Sequence, residues 1–144
     1  TPGAVKTVYR LLDLGIRPYI IRAAIRAIVG QRLLRRLCPI CRLPYQVQQN
    51  SREGHFLGEA YRLEDIYYHH NPQGCPQCGH TGFIGRIAIH EILCFSEELS
   101  EEPKDKEVGA SLISSDCLLS TMREDGIAKA LAGEIQLEEL MNIF

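Results

Sequence analysis

Apolar residues recur at helical spacing from the start of the chain. Over residues 2–14, Val5, Val8, Leu11 and Leu12 fall on one face, while Lys6, Arg10 and Asp13 point away. The spacing predicts an amphipathic helix with Thr1 as its cap, Pro2 as its first residue and Gly15 as its stop. Pro18 opens a second helix, with Ile20, Ile21, Ala24, Ile25 and Ile28 as its buried stripe. Residues 31–37 fit a helix or a strand equally by period; the break at Gly30 favours a strand. Residues 43–74 are polar and turn-rich. A short helix is expected near 63–68, with Tyr61, Tyr67 and Tyr68 packing over this segment. Residues 83–93 form the clearest strand, with alternating β-branched positions behind Gly79 and Gly82. Ser96 is expected to cap an acidic helix, and 97–107, with Pro103, to be its end and a linker. Helices are expected over 118–131, ended by Gly133, and over 137–144, with Leu137, Leu140 and Met141 as the apolar face.

Two short cysteine pairs interrupt this pattern, Cys38-Pro-Ile-Cys41 and Cys75-Pro-Gln-Cys78, with 33 residues between them. Each spacing lets one tight turn aim two sulfurs at a single point. Four thiolates match the tetrahedral preference of Zn²⁺ and leave no open position for a catalytic water. Pro after the first Cys of each pair, and Gly79 after the second pair, suit a turn wrapped around sulfur. Cys38, Cys41, Cys75 and Cys78 are therefore the candidate ligands of one structural zinc. The segment between the pairs must fold back as a small subdomain. Three disulfides among the six cysteines are the alternative; nothing in the chain marks secretion, and paired Cys-x-x-Cys reads as metal. Cys94 and Cys117 lack partners at ligand spacing and read as small apolar residues.

The chain of 144 residues is long enough for one core with an appended subdomain. No apolar run has the length of a membrane span, and no signal peptide is recognisable. The opening on a helix cap suggests a piece of something longer. A net charge of −2 conceals an asymmetry. Residues 1–93 carry 12 Lys/Arg against 6 Asp/Glu, whereas residues 94–144 carry 4 against 12. The basic part can face nucleotide, nucleic acid or anionic lipid, or simply attract the acidic part. Arg32, Arg35, Arg36 and Arg42 beside the first cysteine pair give a zinc-ribbon nucleic-acid module as the alternative function. Against it, no basic and aromatic residues interleave. His80 lies two residues past Cys78, but the regular cysteine pairs leave it no ligand position. His69 and His70 are expected to be exposed, and His55 and His90 belong to no constellation.

Several segments in fixed order carry a resemblance. They are residues 1–15, Gln-Arg-Leu-Leu-Arg-Arg-Leu-Cys-Pro-x-Cys at 31–41, Gly-Cys-Pro-x-Cys-x-x-Thr-Gly-Phe-x-Gly-Arg at 74–86, His-Glu-Ile-Leu at 90–93, and Arg-Glu-Asp-Gly-x-x-Lys-x-x-x-Gly at 123–133. The chain resembles the C-terminal part of the ATPases that power bacterial type II secretion and type IV pilus assembly, the general secretory pathway protein E family. The resemblance implies an α/β class, α+β as a fragment: the C-terminal portion of a RecA-like domain, with helices around an antiparallel strand pair and a zinc-binding insertion. It divides the chain into core helices and strand (1–37), a tetracysteine subdomain (38–78), a returning strand (79–95) and a helical C-terminal part (96–144). It also implies a cytoplasmic hexamer on the inner membrane, partnered by platform proteins, that binds ATP and Mg²⁺ when intact. This chain has no Gly-x-x-x-x-Gly-Lys-Ser/Thr, so it lacks the backbone cradle for phosphates. No catalytic residue is assigned, no cofactor-binding residue is known, and the chain alone is not expected to hydrolyse ATP. Arg32, Arg35 and Arg36 read as subunit-facing, nucleotide-facing or solvated. Arg86 and Glu91 match the family pattern; a paired structural role is the reading preferred over a catalytic one.

Overall fold

The computed structural model describes residues 3–95 and 118–144. It is an α+β arrangement of five helices and five strands among those residues. They divide into two compact units: residues 3–31 with 90–95 and 118–122, and residues 32–89 with 123–144.

In the first unit, helix α1 (Ala4–Asp13) buries Ala4 and Val8. Its C-terminus closes as expected, Gly15 N–H bonding to Leu12 O at 2.9 Å and Ile16 N–H to Leu11 O at 3.1 Å. Its N-terminus differs from expectation. Thr1 and Pro2 lie outside the described residues, and the cap position is Gly3, whose lack of a side chain leaves the first N–H groups to an acceptor from elsewhere in the chain. Helix α2 (Pro18–Ala24) starts at Pro18 as predicted but ends before Gly30. Ile25 is already extended, and Ile28 belongs to strand β1 (Ala27–Leu37). The isoleucine spacing imitates a longer helix because β-branched residues suit a strand equally well. Ile20 is exposed, as is Ala24; Ile21 alone of the helix is fully buried. Ala4, Val8, Ile21, Leu93 and Phe95 make the core, flanked by Leu11, Leu12, Ile16, Ile25 and Ile28. Gly30 is a strand residue because α1 crosses it. A Cβ there would sit 3.2 Å from the Ala4 nitrogen.

Strand β4 (Phe83–Cys94) follows the predicted range closely and lies between β1 and β5 (Leu118–Ser120). Cys38 N–H bonds to Gly82 O and Phe95 N–H to Arg26 O, each at 2.9 Å. The end of β1 therefore meets the start of β4, and the reverse, so the pair is antiparallel. Strand β5 pairs antiparallel with β4, Ile92 opposite Ser120. The helix expected over 118–131 is thus shorter. It is α4 (Met122–Leu131), because Leu118–Ser120 complete a sheet edge instead. The Ser96 cap and the acidic helix after it lie outside the described residues.

In the second unit, β2 (Leu43–Tyr45) and β3 (Tyr67–His69) pair antiparallel, Tyr45 opposite Tyr67. This ribbon replaces the helix expected at 63–68: the tyrosines satisfy their backbone across strands and bury one ring, Tyr67. Helix α3 (Arg52–Leu57) fills the segment between, with Ser51 Oγ accepting from Gly54 N–H at 3.0 Å. Helix α5 (Leu137–Met141) stops short of the predicted end, buries Leu137 and Leu140, and packs on α3 and β3.

Candidate metal centre

Each cysteine pair occupies a turn that the local sequence explains. Cys75-Pro-Gln-Cys78 folds as a single 3₁₀ turn over Pro76–Cys78, with Pro fixing its start. Gly79 and His80 leave it at φ of 61 and 62°, reversing the chain toward β4. The Cys38 turn closes through Arg42 N–H to Cys38 O at 3.1 Å. Cys38 N–H bonds to Gly82 O at 2.9 Å, which places the first turn beside the second.

The four sulfurs of Cys38, Cys41, Cys75 and Cys78 lie within 4.8 Å of one another. Cys38 to Cys75 and Cys75 to Cys78 are 3.7 Å apart, and Cys41 to Cys78 is 3.9 Å. A tetrahedron with metal–sulfur bonds of about 2.3 Å has edges of about 3.8 Å. A disulfide would need about 2.05 Å, and all four cysteines are free. Cys38 and Cys78 are buried; Cys41 and Cys75 are half-buried. Backbone N–H groups surround the inner sulfurs. Cys75 N–H and Gly82 N–H each donate to Cys78 Sγ at 3.2 Å.

The electrostatics follow from this packing. Burial pushes the Cys78 thiol up, but the backbone of Cys75 and Gly82 outweighs it and brings the value down to about 6. For Cys38, burial is likewise outweighed by the Ile40 and Cys41 backbone, and the net direction is down. Cys41 goes the other way, pushed up to about 12 by burial and by the sulfurs of Cys38, Cys75 and Cys78. Four thiolates this close repel unless a cation sits among them, and a soft divalent ion suits an all-sulfur set.

No histidine joins the cluster. His80 is exposed, with Nδ1 3.3 Å from Gln73 O. His69 is exposed as expected, but His70 is half-buried: it stacks on Phe83 at 5.0 Å, and its N–H donates to Gln136 Oε1 at 3.3 Å. Cys94 is free in β4, and Cys117 lies outside the described residues.

Three of the four arginines beside the first knuckle are engaged within the chain. Arg35 pairs with Glu139 through Nε and through its backbone N–H, and lies 4.1 Å over the Phe83 ring. Arg36 pairs with Glu134 at 3.1 Å. Arg42 donates to Ala132 O at 3.2 Å and to Gly133 O, and lies 4.3 Å over Tyr68. The basic strand thus attracts the acidic C-terminal helices, the simpler of the readings of the charge asymmetry. Glu91 meets a helix terminus. Glu91 Oε1 accepts from Ala4 N–H at 2.8 Å and Val5 N–H at 3.2 Å, capping α1 from β4. Residue order alone carries no signal for that contact or for Arg42, because each partner lies some 90 positions away.

This is an α+β chain in which two distant Cys-x-x-Cys turns converge on one tetracysteine cluster. Residues 1–142 match the family described as Type II/IV secretion system protein, and the chain belongs to that family. It is 34% identical over 145 residues to type II secretion system ATPase E of Vibrio cholerae, covering 99% of this chain and 28% of that protein. Type II secretion system protein E of Aeromonas hydrophila is similar to the same extent, 34% identical with the same coverage. The type IV pilus assembly ATPase PilB of Thermus thermophilus is 33% identical over 143 residues, covering 98% of this chain and 16% of the relative. The chain thus spans little more than a quarter of the length of its type II relatives. No helix among the described residues is long and apolar enough to cross a membrane.

Proposed function

We propose that this chain is the zinc-stabilised part of a secretion ATPase that follows the phosphate-binding loop, in a machine for type II secretion or pilus assembly. The sulfur–sulfur separations of 3.7–3.9 Å carry the metal assignment, since they are the edges that zinc–thiolate bonds require. Cys38, Cys41, Cys75 and Cys78 hold the ion, and its role is structural. Binding contributes on the order of 10 kcal/mol toward ordering residues 38–78 as a metal-organised subdomain. The ATPase names of the relatives support the wider reading. In the intact protein we assign ATP and Mg²⁺ to upstream motifs, hexameric assembly to the whole ATPase domain, and docking against inner-membrane platform proteins on the cytoplasmic side. The chain alone has no phosphate cradle and does not turn over ATP.

The test is metal content. Native mass spectrometry of freshly purified, reduced protein should find one zinc per chain, and Cys41→Ser should lower both zinc retention and the melting temperature. Well under half an equivalent of zinc with four free thiols would sink the assignment. The nucleic-acid alternative gains no support, because Arg35, Arg36 and Arg42 already have partners in the chain.

A further inference from the structure

The first knuckle is bracketed by contacts to one short stretch, the connection between α4 and α5. Immediately before Cys38, Leu37 N–H donates to Glu134 O at 2.8 Å. Immediately after Cys41, Arg42 donates to Ala132 O and Gly133 O. These carbonyls lie just past the C-terminus of α4, where a cation is favoured by the helix dipole. Arg42 also stacks on Tyr68. Gly133 is at φ +72°, and a Cβ there would lie 2.8 Å from Tyr68 Cδ2 and collide with the guanidinium. Only a bare backbone fits between the two.

We propose that zinc loading and the docking of helices α4 and α5 are coupled through Arg42, so that the C-terminal helix pair responds to the metal. This rests on the metal reading above. The ion fixes the turn from Cys38 to Cys41, which sets the direction in which Arg42 leaves and the place of the Leu37 N–H. Without it, both ends of the bracket lose their common geometry, and the α4–α5 connection loses these two contacts together. Linkage makes the effect reciprocal: whatever zinc adds to docking, docking adds to zinc affinity. Arg42 is a positioning residue in this scheme, since it touches no ligand atom, and couplings between two sites are typically about 5-fold to 150-fold in affinity.

Hydrogen exchange and chelator competition on the full chain test it. In the wild type, removing zinc should speed amide exchange over residues 123–141 at least about 10-fold. In Arg42→Gln, zinc should remain at one per chain but bind about 10-fold more weakly, and exchange over 123–141 should depend on it clearly less than in the wild type, the Leu37 N–H contact being all that remains of the bracket. Arg36→Gln, which removes a side-chain ion pair to Glu134 but leaves both contacts of the bracket, should retain the metal dependence. Equal exchange over 123–141 with and without zinc, in wild type holding one ion per chain, would overturn the coupling and leave the metal assignment standing. Failure of the wild type to bind zinc would overturn both.

Discussion

Tyr67 shows how a single atom can work against its surroundings. Its ring is 1% exposed and packs near Tyr45, at 6.5 Å between centroids, yet its hydroxyl has no hydrogen-bond partner among the described residues. A buried polar group left unmet costs free energy. Tyr67→Phe keeps the ring and removes the orphan, and should raise stability by about 1 kcal/mol in urea denaturation. Burial, with Asp65 adding, pushes the phenol from its ordinary 10 up to about 12. Above pH 10 the unfolded chain ionises while the folded chain does not. This contribution is therefore intact below pH 10 and lost as pH climbs toward 12. The gap between variant and wild type should widen over that window; a constant gap would show that Tyr67 titrates alike in both states. The cysteines lie at the other extreme of legibility. Their spacing is local and their chemistry specific, so the meeting of four sulfurs could be anticipated from residue order alone. The orphan hydroxyl could not, because its setting depends on a strand pairing that the tyrosines themselves do not announce.

Elements were legible where one face or one breaker decided the matter. The α1 stripe, the Pro18 start of α2 and the alternation of β4 are all local. Boundaries failed where a distant partner decided. Tyr67–His69 became a strand through Leu43–Tyr45, and Leu118–Ser120 through β4. The cap of α1 is the clearest case, since Glu91 reaches it across 87 positions. Its removal should be costly to that helix. Glu91→Ala should destabilise the chain by about 1–2 kcal/mol and speed exchange at the Ala4 and Val5 amides. Glu91→Gln, which keeps an acceptor without the charge, should fall between. A Glu91→Ala chain as stable as wild type would show that the two N–H groups find water at no cost.

At the scale of the molecule, three of the basic residues beside the first knuckle find their partners inside one unit: Arg35 at Glu139, Arg36 at Glu134, and Arg42 at the α4–α5 connection. All four sulfurs belong to that unit, while the core of Ala4, Val8, Ile21, Leu93 and Phe95 belongs to the other. A strong chelator should therefore raise exchange over residues 32–89 and leave residues 4–24 nearly unchanged. Uniform loss of protection would mean that the two units unfold as one. The division itself was not visible in residue order, because β1 and β4 each run from one unit into the other.

The bracket around the first knuckle also has a consequence in time. A ribosome makes Cys78 well before it makes Ala132–Glu134, so the fourth sulfur is free to close the cage while its outer brace is still unmade. If the site takes zinc and the coupling proposed above holds, the nascent chain would hold its ion loosely at first and grip it only when the final helices emerge, leaving an interval in which a wrong metal can still be exchanged for the right one.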